Sequence, residues 1–265
     1  MHVPRLVSVF ALAATLIQPL RAQVAPAAAP APETPALKLT LTPAYVSQYM
    51  FRGTRLGGQS FQPTVAAAYG DASVGLWANF PLAKKVPGQS DPEFDFFGTW
   101  NFKLNDTVTL VPGFTTYVYP RAESANGFYK FTFEPSLALN LSVAGLTLTP
   151  KSYYDVVLRG PTWELTAAKT VSLSAPAIDF TFSATAGTFS WRDAVNNTAP
   201  RVRNDGDYWS AGVTATHAFS ATTSLSLGWM LTAGRDNTFE SAGASVDNAL
   251  AVRRGVFTLA WSWTR

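Results

Sequence analysis

The segment that decides the fold is Gly255-Val256-Phe257-Thr258-Leu259-Ala260-Trp261-Ser262-Trp263, near the end of the chain. From Phe257 onwards its large apolar residues occupy every second position, and the residues between them are small or polar. Side chains alternate between the two faces of a β-strand, so this pattern predicts a strand with one strongly apolar face. Such a face packs into the core of a soluble β-sandwich or points into lipid from a membrane β-barrel. The rest of the chain distinguishes the two environments.

Eleven further segments show the same alternation, and no segment sustains a helical period. These predicted strands fall near residues 39–51, 61–69, 74–80, 94–104, 108–118, 129–141, 146–158, 163–173, 178–186, 209–219 and 225–231. Tyr49 and Phe51 are assigned to the apolar face of the first of them. We therefore expect about twelve strands in all.

Short and long connections alternate along the chain. Tight turns are predicted at Gly70-Asp71, Asn105-Asp106, Ala144-Gly145, Ala175-Pro176 and Ser220-Ala221. Longer polar loops are predicted at Arg52–Ser60, Ala83–Pro92, Pro120–Asn126, Arg192–Gly206 and Arg235–Ala249, whereas the connection at Gly160-Pro161 is short. This sorting is typical of bacterial outer-membrane barrels, in which long loops face outside and short turns face the periplasm. The predicted fold is all-β: a transmembrane antiparallel up-and-down β-barrel of about 12 strands, with both termini periplasmic.

The N-terminal part of the chain predicts export. Arg5, an apolar run from Leu6 to Ile17 and the small residue Ala22 have the pattern of a secretory signal peptide over residues 1–22. Residues 23–37 are almost entirely Ala and Pro, which predicts a periplasmic spacer, and residues 38–265 are assigned to the barrel. The chain contains no cysteine, so the fold does not depend on disulfides.

The faces opposite the apolar sets carry the candidate lumen residues. The charged side chains predicted to line the pore are Arg52, Glu93, Asp95, Lys103, Lys130, Glu134, Lys151, Asp155, Arg159, Glu164 and Asp179. They either ring a water-filled passage and set its ionic preference, or form ion pairs that fill a narrow lumen. Arg52, together with Arg55, is a candidate for attracting anions at the pore mouth. The aromatic residues predicted at the membrane interfaces are Tyr45, Phe51, Trp100, Trp163, Trp229, Trp261 and Trp263.

Short aromatic motifs in the chain resemble a known family. The sequence Tyr49-Met50-Phe51-Arg52-Gly53 resembles a signature of the TorF-type porin family, and Gly75–Asn79, Tyr117–Pro120 and the aromatic stretch before Glu134 are similar to further patterns of that family. The resemblance covers the chain from about Leu39 onwards. It implies a porin-like outer-membrane protein of undefined substrate. The chain departs from such barrels at its end, where Thr264-Arg265 follow Trp263 in place of a terminal aromatic residue.

The sequence argues against an enzyme. Catalytic barrels of the lipase or protease type need a histidine beside a nucleophile or an acid. The only histidine beyond the signal peptide, His217, falls on the outward register next to a predicted tight turn, without a catalytic pattern around it. No motif for a cofactor, a metal or a phosphate is present, and no basic run suggests nucleic acid.

These observations lead to a functional prediction with one alternative. The predicted function is a porin-like outer-membrane channel for passive or weakly selective diffusion of small hydrophilic solutes. Its expected partners are outer-membrane lipid, those solutes and the barrel-assembly machinery during insertion. The alternative is a closed barrel that acts as a structural or adhesion protein through its external loops.

Overall fold

The computed structural model describes residues 36–83 and 91–265, which form a closed antiparallel β-barrel of twelve strands. The predicted fold class is confirmed. In the part of the chain that the structure describes, no helix is long and apolar enough to cross a membrane. The predicted signal peptide lies outside the described residues, as does most of the predicted spacer.

Each strand pairs with its neighbours in chain order. The strands are β1 (Lys38–Thr42 with Ala44–Val46), β2 (Ser60–Phe61 with Thr64–Tyr69), β3 (Ala72–Pro81), β4 (Glu93–Trp100 with Phe102–Lys103), β5 (Val108–Val118), β6 (Phe131–Val143), β7 (Leu146–Asp155), β8 (Gly160–Ser174), β9 (Ala177–Trp191), β10 (Arg203–Ala218), β11 (Thr223–Ser241) and β12 (Arg254–Thr264). A short strand, Ala244–Asp247, pairs with the end of β11 as a hairpin, and a single helical turn, Ser124–Asn126, lies between β5 and β6.

The barrel closes between its first and last strands. Leu41 lies opposite Trp263, and Tyr45 lies opposite Leu259. The backbone N–H of Leu39 donates to the carbonyl of Arg265, and the N–H of Arg265 donates back to Leu39. Closure satisfies the edge groups of both strands, which hydrocarbon would otherwise leave unpaired. The terminal Thr264-Arg265 pair, unusual in sequence, is thus part of the seam.

The outward face of the barrel is apolar, as the alternation predicts. Leu227 on β11 lies between Ala215 and Leu259 on the neighbouring strands, and the large members of this face are exposed. The inward face of the half of the barrel near the tight turns carries small hydroxyl and amide side chains that pair across neighbouring strands: Thr40 with Thr264, Thr42 with Ser262, Ser73 with Thr99, Thr149 with Asn140, Thr170 with Thr181, and Thr216 with Ser226.

Four predicted connections differ from the structure. The one placed at Gly160-Pro161 lies inside β8, and residues 156–159 form the turn. Residues 52–60 are no free external loop, because most of them belong to a hairpin that folds into the barrel. In the segment predicted as a loop at 192–206, β10 already begins at Arg203, and in the segment predicted at 235–249, β11 continues to Ser241. Both strands extend because their polar residues still complete a β-ladder above the apolar band. The loop predicted at 83–92 lies mostly outside the described residues.

Leu227→Arg tests whether the apolar face meets lipid. Leu227 lies within the outward apolar run Leu225, Leu227, Trp229 and Leu231 of β11, and a cation placed there is expected to lower the free energy of unfolding by about 2–4 kcal/mol, because it must leave water. Denaturant titration of the barrel folded into phospholipid bilayers measures this. Leu104→Arg, in a tight turn at the barrel end, is the matched control and should cost about 0–1 kcal/mol. Equal losses in the two variants would contradict a lipid-facing position for Leu227.

Candidate functional site: a hairpin inside the barrel lumen

The connection between β1 and β2 folds inwards. Tyr49–Phe51 and Thr54–Gly57 pair as a two-stranded sheet of their own, and we call residues 49–57 the lumen hairpin. At its tip Arg52 and Gly53 both have positive φ, +46° and +74°. Two such residues in succession form the tight turn that suits the twist of a two-residue hairpin. The motif that resembles a porin signature therefore builds an internal element of the barrel.

The tip of the lumen hairpin packs tightly against β11. A Cβ added to Gly53 would lie 2.5 Å from the Cα of Gly234, so two glycine backbones meet there. Thr54 accepts a hydrogen bond from the Asn237 side chain at 3.3 Å, and the N–H of Arg55 donates to the carbonyl of Leu250. These contacts fix the hairpin to one side of the barrel wall.

From that side, Arg52 reaches across the lumen to β6. Its two terminal nitrogens donate to the two carboxylate oxygens of Glu134, each at 2.8 Å. The exposed fraction of the side chain is 6% for Arg52 and 1% for Glu134. The hydroxyl of Tyr117 donates to the same carboxylate at 3.0 Å. A bidentate, buried pair of this kind holds its partners in one geometry, so it fixes the tip of the lumen hairpin to β6.

The base of the hairpin is held by a second carboxylate. The hydroxyls of Tyr49 and Tyr119 donate to the two oxygens of Glu93, at 2.8 and 3.0 Å, and Glu93 is buried. The ring of Tyr49 also contacts that of Trp77, with ring centres 5.6 Å apart, so Trp77 points into the lumen. Neutral hydroxyl donors thus satisfy a carboxylate that has no Lys or Arg within ion-pair distance among the described residues.

Further polar side chains lie at the same level of the lumen as the hairpin. The Tyr208 hydroxyl donates to Glu164 at 2.8 Å, and the ammonium of Lys151 lies 4.4 Å from the centre of the Tyr153 ring. Asp155 accepts the backbone N–H groups of Val157 and Leu158, which closes the turn after β7. We call this layer of buried and half-buried charged and aromatic side chains, together with the lumen hairpin, the constriction. It lies in the half of the barrel near the long loops.

Seven of the predicted pore-lining residues lie together in the constriction, and the other four lie outside it. Arg52, Glu93, Asp95, Glu134, Lys151, Asp155 and Glu164 belong to the constriction. The four that lie elsewhere are Lys103, Lys130, Arg159 and Asp179. Lys130 is exposed just before β6, Arg159 pairs with Asp193 in the loops, and Asp179 lies near a tight turn. Lys103 pairs at 2.9 Å with Asp106, whose pKa it holds below the usual value.

Six of the seven aromatic residues predicted at the membrane interfaces face outwards, and one lies in the lumen. Trp100, Trp163, Trp229, Trp261 and Trp263 are exposed on the outer face, and Tyr45 shares the outward register of Leu259. Phe51 was predicted to face lipid, and this is wrong: its ring contacts Tyr117 and lies under the Arg52 guanidinium inside the barrel. The assignment of Tyr49 to the apolar face is wrong for the same reason. The strand alternation ends at Ser47, where the chain bends into the lumen.

Several lumen residues were missed by the sequence argument. Tyr117, Tyr119, Tyr153, Tyr208 and Trp191 line the constriction, and none of them is in the predicted pore-lining set, which contains charged residues only. Their positions alternate with those of outward residues such as Val118 and Tyr154, and this alternation is the sequence signal that could have identified them as lumen residues. Aromatic residues are expected on both faces wherever a lumen is filled rather than open.

Comparisons with known proteins place the chain in a family and a fold. A family model described as a bacterial protein of unknown function (Gcw_chp) matches residues 29–260. No curated protein matches the sequence. Among solved structures, the fold is similar to the KdgM porin, with a TM-score of 0.50 and 9% identity over 84% of this chain and 98% of that one. A KdgM porin in complex with disordered oligogalacturonate gives a TM-score of 0.50 and 7% identity over 85% and 98%. At these identities the likeness establishes the shared barrel fold, and TorF-type membership stays a prediction.

Gly53→Ala is expected to loosen the lumen hairpin, because the added Cβ would collide with Gly234 and the positive φ disfavours a side chain. Amide hydrogen exchange across residues 49–57 should accelerate by at least about tenfold while the barrel strands stay protected. The matched control is Gly243→Ala, at a φ of +80° with no atom within 4 Å of the added Cβ. Unchanged exchange in the hairpin of Gly53→Ala would contradict the packing described here.

Proposed function

This chain belongs to the Gcw_chp family of bacterial proteins, and we propose that it is a porin-like channel of the bacterial outer membrane that admits small hydrophilic solutes past the lumen hairpin. Both termini would lie in the periplasm, and the long loops outside. The observation that carries the proposal is a polar lumen with two layers. Small hydroxyl and amide side chains line the half near the tight turns, and charged and aromatic side chains, together with the lumen hairpin, occupy the other half.

The charges of the constriction favour cations. Five carboxyl groups, those of Glu93, Asp95, Glu134, Asp155 and Glu164, lie in the constriction with three basic side chains, Arg52, Lys151 and the hairpin residue Arg55. One oxygen of Asp95 is buried without a hydrogen-bond partner among the described residues. Rings of carboxylates raise the local concentration of cations and exclude anions. Because Arg52 is paired with Glu134, it does not attract anions at the pore mouth. An oligogalacturonate, the ligand in one KdgM porin complex, carries carboxylates of its own, which the carboxylates of this constriction would repel.

The lumen hairpin also supports a second candidate function. In this alternative, the barrel is closed and acts through its external loops. At the level of the constriction, side chains such as Glu134, Asn79 and Tyr208 are almost inaccessible to water. A barrel filled in this way passes solute only if the hairpin moves. The two functions therefore differ in a single measurable property, which is whether the hairpin opens.

Planar-bilayer recording separates the two functions. We expect the native protein to give small conductance steps, and a variant with residues 48–58 replaced by a short Gly/Ser link to give larger ones, since the link removes the obstruction. Replacing the external hairpin strand 244–247 by a similar link is the matched control and should leave the step size unchanged. Silence of both the native protein and the linked variant, with both migrating as folded barrels, would eliminate the channel and leave the closed barrel.

Lys151→Gln tests the electrostatics of the passage. Removing a cation from a constriction already rich in carboxylates should shift the reversal potential in a salt gradient towards stronger cation preference. Lys130→Gln removes an equal charge from an exposed external position and serves as the control, with a smaller shift expected. A shift of equal size in the two variants would mean that the path of ions does not run past Lys151.

A further inference from the structure

The guanidinium of Arg52 lies in a box with a carboxylate on one edge and aromatic rings around it. Besides the two bonds to Glu134, its central carbon lies 4.7 Å from the centre of the Phe51 ring, 4.8 Å from that of Tyr153 and 5.7 Å from that of Trp191. Phe51 comes from the lumen hairpin itself. Glu134, Tyr153 and Trp191 come from β6, β7 and β9, so most of the box belongs to the barrel wall.

The wall residues of this box are held in place without the hairpin. The Tyr117 hydroxyl orients Glu134, and Phe189 stacks on Trp191 with ring centres 4.2 Å apart. Tyr153 lies on β7 between Ser136 and Thr162 of the neighbouring strands. Rigid strands and neighbouring side chains thus preserve the geometry of a carboxylate flanked by two ring faces. The box would persist if Arg52 left it.

A carboxylate beside aromatic faces is the set of groups that recognises planar organic cations. The carboxylate accepts two parallel N–H bonds from a guanidinium, and the negative face of an aromatic ring attracts a cation that lies over it. Glu134 is buried, so without a cation it would be an uncompensated charge in the lumen. The ammonium of Lys151 lies 4.4 Å from the centre of the Tyr153 ring, and in the part of the chain that the structure describes it makes no ion pair with Glu134, which pairs with Arg52.

We propose that Glu134, Tyr153 and Trp191 form a binding site for a free solute that carries a guanidinium group, and that Arg52 occupies this site as an internal substitute for the solute. A solute that enters the box displaces Arg52 from Glu134 and so breaks the ion pair between the lumen hairpin and β6. The inference deepens the proposed channel by naming the class of solute and the step that frees the hairpin. It rests on the proposed function for the passage of the solute, whereas the binding itself is measured without any current.

The test uses methylguanidinium, which reproduces the end of an arginine side chain, and isothermal titration calorimetry of the full-length barrel in detergent micelles. Arg52→Ala empties the box and should bind methylguanidinium, with an affinity at least about tenfold above that of the native protein, in which the tethered Arg52 competes. The double variant Arg52→Ala/Glu134→Gln keeps the size of the box and removes its charge, so binding should be lost. Methylurea, a neutral molecule of similar planar shape, should not bind to any of the proteins.

Two results would overturn the proposal: equal binding of methylguanidinium by Arg52→Ala and the double variant, or equal binding of methylguanidinium and methylurea. If Arg52→Ala does not fold alone, the yield of heat-modifiable folded barrel in refolding becomes the readout. A yield that rises with methylguanidinium and not with methylurea supports the site, and a yield unaffected by either overturns it. Binding without bilayer conductance would remove the channel and keep the site, whereas conductance without binding would do the reverse.

Discussion

The structure depends on one buried ion pair, Arg52 with Glu134, which joins the lumen hairpin to the far wall of the barrel. Burying two charges costs desolvation, and their attraction repays this only when the geometry is good and the remaining lone pairs are satisfied. Here the carboxylate accepts both nitrogens of Arg52 and the Tyr117 hydroxyl. The pair is therefore a specific fastening rather than a general source of stability, and losing either member would leave the other unpaired.

A second constraint explains why tyrosines surround the constriction. An outer-membrane barrel turns its apolar residues outwards, so its lumen must be filled with polar groups or with water. Carboxylates supply acceptors but no donors when ionised, and the constriction has more carboxylates than cations. Tyr49, Tyr119 and Tyr208 supply the missing donors to Glu93 and Glu164 without adding charge. Their rings fill space that shorter hydroxyl side chains, such as those in the other half of the lumen, leave open.

The barrel could be predicted from the sequence, whereas the hairpin inside its lumen could not. Period-2 alternation in segments such as Phe257–Trp263 reports which face each side chain takes, and this depends on local geometry alone. It fails at Tyr49 and Phe51, because alternation assumes that the strand continues, whereas the chain leaves the wall at Ser47. Glu134 was recognised as a lumen residue from its register. Its partner depends on how far the hairpin reaches across the barrel, which is a three-dimensional distance that no spacing in the sequence encodes.

Tethering decides how such a constriction can respond. Both ends of the lumen hairpin continue into barrel strands, so Arg52 stays close to Glu134 at a high effective concentration even when their contact breaks. A weakly bound ion cannot compete with a partner held in this way. A solute that uses the carboxylate and the ring faces together can, because it replaces every contact that Arg52 loses. Movement of the hairpin would also separate Gly53 from Gly234, where two backbones meet without side chains between them. Opening is therefore opposed by the ion pair at the tip, by the hydrogen bonds of Thr54 and Arg55 to the wall, and by the hydrogen bond of Tyr49 to Glu93.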